Sequence, residues 1–170
     1  MTVLTVTNLY NALSVVKVLY LYDALSVRDV LNRSPSSSAR AVRHIGAGRV
    51  AESIGAMQPA DCWLIGTGDD QINDVATALA GSHTDLSGAL VFHLAGRFGL
   101  EVLAPLAGQG ARLAALHPVR SLTSDRLSLE DFSGTACVAE GSEEALGRLE
   151  PLVNSIGGLW LPVQGIERGR

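Results

Sequence analysis

The stretch Ala60-Asp-Cys-Trp-Leu-Ile-Gly-Thr-Gly-Asp-Asp70 decides the fold of this chain. Its apolar centre predicts a strand over 61–66, of the kind that is covered on both faces of a parallel sheet. Acidic residues favour the positive end of a helix, so we predict a helix over 69–79. The small residues of the turn could admit a ligand, or Asp69 could simply cap the helix, and the sequence leaves both interpretations open.

Strands and helices alternate on both sides of this stretch. On the amino-terminal side we predict strands over 3–7, 27–31 and 49–52 and a helix over 37–45, whereas residues 11–25 half fit both a helix and a strand. On the carboxyl-terminal side we predict strands over 89–94, 112–116, 135–139 and 159–163 and helices over 100–106 and 142–156. Alternation with short links predicts an α/β fold of three layers, in which a mostly parallel sheet carries helices on both faces.

The composition excludes several classes of protein. A length of 170 residues predicts one domain, at roughly 150 residues per domain. The 47% of hydrophobic residues exclude a disordered chain, and the net charge of −4 argues against nucleic acid as a partner. Cys62 and Cys137 offer neither a disulfide framework nor the spacing of a metal site, and no apolar run reaches the ~18 residues of a membrane span. We therefore expect a soluble, cytoplasmic protein with no metal and no membrane contact.

Glycine is unevenly distributed along the chain. All 18 glycines lie at or after Gly46, whereas all three tyrosines and the single lysine lie in the first 22 residues. Either the composition fluctuates by chance over such short windows, or residues 8–26 have a different history, such as a rearranged or frame-shifted segment. Residues 1–26 are therefore treated as atypical of the domain.

Parallel sheets bind ligands at the carboxyl ends of their strands, so the residues that follow predicted strands are the candidates for a site. The link after the first strand, Asn8-Leu-Tyr-Asn-Ala-Leu13, contains no glycine, and its side chains would block the close backbone approach that a pyrophosphate needs. The segment Gly46-Ala-Gly-Arg-Val-Ala51 fits a loose dinucleotide fingerprint, but it follows a helical pattern rather than a strand. We therefore interpret Gly46 and Gly48 as a helix stop and a turn.

Polar residues follow three other predicted strands. Asn32, Arg33 and Ser34 follow the second strand, where Arg and Ser suit a 2′-phosphate and thus favour NADP over NAD. The alternative is an ordinary polar turn before a helix. The segments His93–Arg97 and His117–Pro118 also come at the ends of strands, which could bring both histidines to one rim of the sheet. No Asp or Glu has a spacing that assigns it as their partner, so the sequence identifies no catalytic dyad.

Several segments taken together resemble a known family. They are Val27–Ser34, Ile45–Arg49, Ala60–Gly66, Asp69–Asp70, Phe92–His93, Leu100–Pro105 and Leu116–Val119. The chain resembles a bacterial group of oxidoreductases that have an N-terminal Rossmann-like NADP-binding domain and a helical C-terminal domain of unknown function. That group is similar to pyrroline-5-carboxylate reductase, to the deazaflavin-dependent NADP reductase and to the 6-phosphogluconate dehydrogenase superfamily. The resemblance covers residues 27–163.

The resemblance implies a domain organisation and a set of site residues. It implies a Rossmann-like NAD(P)-binding domain over residues 1–163 and a tail over 164–170, without the family's helical C-terminal domain, which completes the cleft and commonly the dimer. It implies that Asn32, Arg33 and Ser34 hold the 2′-phosphate of NADP, that Thr67, His93 and Gly96 line the dinucleotide channel, and that His117 faces the nicotinamide. It establishes no catalytic role for any of them.

Three functions remain open at this point. The first is an NADP-dependent oxidoreductase domain that transfers hydride to an unknown substrate. Because the family's glycine-rich loop is replaced by residues 8–13, we expect weak or absent NADP binding and no independent catalysis. The second is a degenerate Rossmann domain that acts as a scaffold, and the third is a module for a smaller anion that uses Arg33 and the helix start at Asp69. An exposed sheet edge would also favour a homo-oligomer.

Overall fold

The computed structural model describes residues 3–7, 12–120 and 132–163. Its strands are β1 (Val3–Thr7), β2 (Ser26–Leu31), β3 (Arg49–Val50), β4 (Cys62–Ile65), β5 (Leu90–His93), β6 (Arg112–Pro118), β7 (Ala136–Gly141) and β8 (Leu159–Pro162). Its α-helices are α1 (Ala12–Leu21), α2 (Pro35–Ile45), α3 (Ile72–Ala80) and α4 (Glu143–Ser155), and 3₁₀ helices occupy Ile54–Ala56, Asp69–Gln71 and Leu100–Leu106. Every strand that the sequence predicts is present, with ends that differ by at most two residues.

The eight strands of the described residues form one sheet in the order β3-β2-β1-β4-β5-β6-β7-β8. Strands β1 to β6 are parallel, β7 is antiparallel to β6, and β8 is parallel to β7. The chain moves outward from β1 in one direction and then from β4 in the other, so the strand order reverses between these two strands. In parallel sheets a ligand crevice forms at such a reversal, outside the carboxyl ends of the strands.

Helices cover both faces of the sheet because its central strands are apolar on both sides. On β4, Cys62 and Leu64 join a core with α1, α2 and α4, whereas Trp63 and Ile65 join a second core with α3 and the 3₁₀ helix over 100–106. All four of these strand residues are at most 2% exposed. The structure thus confirms the predicted three-layer α/β architecture with a mostly parallel sheet.

The compositionally unusual segment before β2 contains a helix that lies in the core. Helix α1 buries Val15, Val16, Val18 and Leu19 in the core that it shares with α2 and β2. A helix that is buried on several sides shows no narrow apolar stripe. This explains why the sequence pattern of this segment half fitted a helix and half fitted a strand.

Helix α2 begins and ends at residues whose types specify those ends. The Ser34 hydroxyl accepts a hydrogen bond from the Ser37 backbone N–H at 3.2 Å, and the Ser34 backbone N–H donates to Ser37 Oγ at the same distance. Gly46 ends the helix in the left-handed conformation, at φ +89°. Gly48 has φ +97°, and a Cβ there would lie 2.9 Å from Val27 Cγ1. The two glycines are therefore a helix stop and a turn, as predicted.

The structure corrects three of the predicted elements. The α-helix after β4 begins at Ile72, three residues later than predicted, because Gln71 N–H first closes a 3₁₀ turn onto the Gly68 carbonyl. The predicted helix over 100–106 is a 3₁₀ helix that contains Pro105, a residue that has no N–H to donate. Strand β6 continues to Pro118 because β7 pairs with its last residues, so His117 lies within the strand and not after it.

A buried carboxylate joins β2 to β3 and to the following loop. Asp29 is fully buried, and its two oxygens accept hydrogen bonds from Arg49 Nε and from the Gln58 backbone N–H, both at 2.8 Å. The ion pair with Asp29 raises the pKa of Arg49 above its ordinary value. Because both oxygens of Asp29 are occupied, this acid has a structural role in the sheet.

Candidate functional site

Four strands end at the same level of the sheet's carboxyl edge. Thr7 of β1 pairs with Leu31 of β2 and with Ile65 of β4, and Ile65 pairs in turn with His93 of β5. The loops that follow β2, β4 and β5 therefore leave the edge side by side, on both sides of the strand-order reversal. We call this edge, with residues 32–34, 66–68 and 94–96, the candidate ligand edge.

Strand β1 ends at the centre of this edge. Helix α1 begins at Ala12, so four residues, Asn8–Asn11, join it to β1. The prediction that residues 8–13 obstruct a pyrophosphate falls mostly outside the described residues, because 8–11 are not described and only Ala12 and Leu13, which begin α1, are. It stays a prediction from the sequence.

The residues that follow β2 divide between the start of α2 and the surface. The backbone N–H of Asn32 donates to Ser38 Oγ at 2.8 Å, and the Ser34 hydroxyl caps α2. Arg33 is exposed, and the structure gives its guanidinium no hydrogen bond or ion pair with any described residue. Of the three predicted residues, Arg33 is thus the one whose charged group is available to an anion.

The turn after β4 consists of small residues, of which Gly66 is buried, Thr67 is half-buried and Gly68 is exposed. The Thr67 hydroxyl donates to the Gly68 carbonyl at 3.0 Å, so its proton is used within the turn. A Cβ at Gly68 would lie 3.0 Å from Asp70 Oδ1, which leaves little room for a side chain. The turn therefore presents backbone and a hydroxyl oxygen to the edge, beside the carboxylates of Asp69 and Asp70.

His93 is placed in the interior and not in an open channel. Its side chain is fully buried, Nδ1 accepts the Ala95 backbone N–H at 3.1 Å, and Nε2 lies 2.9 Å from the Gly99 carbonyl. These partners select the neutral tautomer with its proton on Nε2. Burial lowers the pKa of His93, which agrees with a neutral ring. The His93 ring thus joins Ala95 and Gly99, the two ends of the loop over 95–99, and its atoms are not exposed to solvent.

Gly96 and His117 are brought together by this loop. A Cβ at Gly96 would lie 2.4 Å from His117 Cε1, so the loop backbone packs directly on the imidazole. The two residues line a cavity of about 120 Å³ together with Glu140 of β7. Glu140 is a residue that the sequence analysis missed, because the register of β7 on β6 places it and no local spacing does.

The predicted site residues form a line along the sheet and not a single cluster. β2, which precedes Arg33, and β6, which carries His117, are separated by β1, β4 and β5. At ~4.8 Å between neighbouring strands this separation is roughly 19 Å. The edge therefore matches an extended ligand better than a small anion.

The described residues contain neither a reactive thiol nor a cluster suited to a metal ion. Burial raises the pKa of Cys62 to about 12 and that of Cys137 to about 11, so both thiols are protonated near neutral pH. No group of three or more His, Cys, Asp or Glu residues in the described ranges is arranged to hold a metal ion. In those ranges no helix has the length and apolar character required to cross a membrane.

Comparisons with solved structures agree with this fold. The chain is similar to a Bacteroides fragilis protein provisionally described as an NADP oxidoreductase (17% identity, TM-score 0.77, covering 96% of this chain and 60% of that one). It is similar to prephenate dehydrogenase from Aquifex aeolicus in complex with hydroxyphenyl propionate and NAD⁺ (15%, 0.73, 96% and 60%). It is also similar to pyrroline-5-carboxylate reductase from Coxiella burnetii (20%, 0.69, 98% and 60%).

These likenesses show the fold alone, because all three identities are low, and the chain spans about 60% of the length of each structure. No curated protein matches the sequence. A family model described as a Rossmann-like domain matches residues 21–118, which is more than half of the chain. It begins at residue 21, within the atypical segment, and extends through β6. On this match and on the strand order of its sheet, the chain belongs to the Rossmann-like domain family.

Proposed function

We propose that this chain is the dinucleotide-binding part of a nicotinamide-dependent oxidoreductase, with a cofactor lying along the candidate ligand edge. The observation that carries the proposal is that β2, β1, β4 and β5 end at the same level of the sheet, on both sides of the strand-order reversal. In such an enzyme the cofactor supplies the hydride chemistry, and the protein supplies binding and orientation. The similarity to a prephenate dehydrogenase that holds NAD⁺ supports this cofactor class.

We further propose that the cofactor is NADP. Arg33 is exposed directly before the Ser34 cap of α2, so a phosphate at this point would meet both a guanidinium and the amino end of a helix. Asp29, the nearest acid on β2, is buried and fully hydrogen-bonded, so it offers no carboxylate to a ribose 2′-hydroxyl. At the other end of the edge, Gly96 and His117 form the surface on which the nicotinamide half would lie.

The expected affinity is low. The sequence over 8–13 contains no glycine, so the backbone N–H groups that grip a pyrophosphate in this fold would be screened by side chains. Each hydrogen bond to a charged group that is lost costs about 1.5–3 kcal/mol. Asp69 and Asp70 beside the edge add repulsion toward the same pyrophosphate. Together these effects favour binding in the millimolar range.

A second candidate is a Rossmann-like domain that binds no dinucleotide and serves as a scaffold. The glycine-free sequence after β1 favours this alternative, because its side chains would obstruct the contact between the backbone and the pyrophosphate. The two candidates differ in one measurable respect, which is whether NADPH contacts the edge at all.

Titration of the purified protein with NADPH, followed by amide shifts in nuclear magnetic resonance spectra, separates the candidates. The proposal expects saturation only in the millimolar range, with shifts at residues 32–34, 67 and 96. Arg33→Ala should weaken NADPH more than NADH, whereas Arg43→Ala, an exposed arginine later on α2, should affect neither. Shifts absent at all concentrations would favour the scaffold, and a micromolar dissociation constant would contradict the expected obstruction by residues 8–13.

A further inference from the structure

A small cavity lies beyond the end of β5, next to the nicotinamide end of the candidate ligand edge. Its volume is about 120 Å³, and Phe98, Val138 and Val163 contribute apolar side chains to its lining. His117 and Glu140 contribute the ionisable groups. A concave site with mostly apolar walls and a few convergent polar groups is the usual form of a small-molecule site.

Glu140 and His117 occupy the same face of the sheet. Ala115 pairs with Glu140 and His117 pairs with Val138 across the antiparallel β6–β7 ladder, so the two ionisable residues are diagonal neighbours. Glu140 is half-buried, and no hydrogen bond or ion pair joins its carboxylate to any described residue. A half-buried carboxylate without a partner is available to pair with a bound cation.

Three carboxylates and one arginine lie around the loop over 95–99 that lines the cavity. Asp69, Glu101 and Glu140 all act to raise the pKa of the neighbouring His93, although burial outweighs them and lowers it. Arg97, the cation of the same loop, lies over the Phe98 ring, with its guanidinium 5.8 Å from the ring centre. These carboxylates repel an anionic ligand and attract a cationic one.

We infer that this cavity binds a small organic cation, a protonated aliphatic amine whose ammonium group pairs with the Glu140 carboxylate. The apolar part of the amine packs against Phe98 and Val138, and His117 lies beside it. The volume equals that of about four water molecules at ~30 Å³ each, which suits an amine of about five non-hydrogen atoms. Its place as the substrate pocket rests on the proposed function, but the binding itself requires no dinucleotide.

The test uses isobutylammonium chloride and its neutral analogue isobutanol as probes, without any nucleotide present. Amide shifts of the purified chain should show saturable binding of the ammonium ion at Gly96 and His117, and isobutanol should bind at least about tenfold more weakly. Added salt should weaken the binding of the ammonium ion and leave the binding of isobutanol unchanged. Glu140→Gln should abolish the preference for the cation, whereas Glu150→Gln, an exposed carboxylate on α4, should retain it.

Three results would overturn the inference: no saturable binding of the ammonium ion, equal binding of isobutanol, or a preference that survives in Glu140→Gln. Thermal unfolding of both variants shows whether the fold is intact. Because NADPH is absent, failure here leaves the cofactor proposal standing, and failure of NADPH to bind near Arg33 leaves this inference standing.

Discussion

At the scale of single residues, the contact between Gly96 and His117 is the tightest in the site. Ala at position 96 would place its Cβ 2.4 Å from His117 Cε1, so we expect Gly96→Ala to displace the imidazole and to destabilise the protein by about 1–3 kcal/mol. Urea unfolding measures this loss. The cavity beside the two residues should change shape at the same time.

The double variant Gly96→Ala/His117→Ala identifies the cause of that loss. If the clash with the imidazole is responsible, Gly96→Ala should be nearly neutral in the His117→Ala background. An equal cost in both backgrounds would show that backbone strain in the loop, and not the packing against His117, is responsible.

His93 makes stability depend on pH in a defined direction. Burial lowers its pKa from the ordinary value of 6.5 in the folded state, so below pH 6.5 the unfolded chain binds the proton more strongly. The stabilising contribution is therefore fully present above pH 6.5 and is lost as pH falls toward the lowered value. Through His93 alone, the free energy of unfolding should fall by at most about 1.4 kcal/mol for each pH unit.

Unfolding free energies measured from pH 7 to pH 5 in wild type and two variants test this effect. In His93→Gln the free energy of unfolding should change less with pH, because the variant lacks the buried imidazole, whose Nδ1 accepts the Ala95 N–H when the ring is neutral. His83→Gln, which changes an exposed histidine in the loop after α3, should keep the wild-type slope. Equal slopes in wild type and His93→Gln would contradict the assignment.

At the scale of elements, the residues at the two ends of α2 specify where this helix begins and ends. Ser34→Ala removes the acceptor for the Ser37 N–H and should destabilise the protein by about 1 kcal/mol. Ser36→Ala removes only an exposed hydroxyl that lies 3.1 Å from Ser34 Oγ, and it should cost about 0.5 kcal/mol or less. Thermal unfolding compares the two, and equal effects would show that capping does not explain the contribution of Ser34.

The elements that were predicted well are those with local signals, whereas the errors at β6 and α1 come from contacts between residues far apart in the chain. The Ser34 cap and the Gly46 stop define α2 without any tertiary contact. The end of β6 was placed two residues early because its last pairs are made with β7, a strand about twenty residues later in the chain. The pattern of α1 was ambiguous because its burial on several sides depends on α2 and β2.

At the scale of the whole molecule, the outer edge of β8 is a candidate surface for self-association. β8 is the last strand of the sheet in the described residues, and Leu159 and Leu161 are 56% and 47% exposed. Unpaired apolar edges associate, so we expect the apparent mass from light scattering to rise with protein concentration. Such a rise would agree with the homo-oligomer expected from the sequence, which stays a prediction.

Leucine-to-lysine variants test that expectation. The double variant Leu159→Lys/Leu161→Lys should remain monomeric, whereas Leu21→Lys, which changes an equally exposed leucine at the end of α1, should behave as wild type. A wild-type mass that stays monomeric at all concentrations, or a loss of association in Leu21→Lys, would contradict a role for β8.

The sequence by itself determined the order and type of nearly all elements, because helix caps, glycine stops and apolar runs act over a few neighbouring residues. It also indicated which loops follow strands, and hence the candidates Arg33, Thr67 and Gly96, whereas it placed His117 after a strand and not within β6. Only the tertiary structure decided that His93 is buried and that Glu140 shares a cavity with His117. Those facts depend on strand register and on packing between residues far apart in the chain, and no local pattern carries that information.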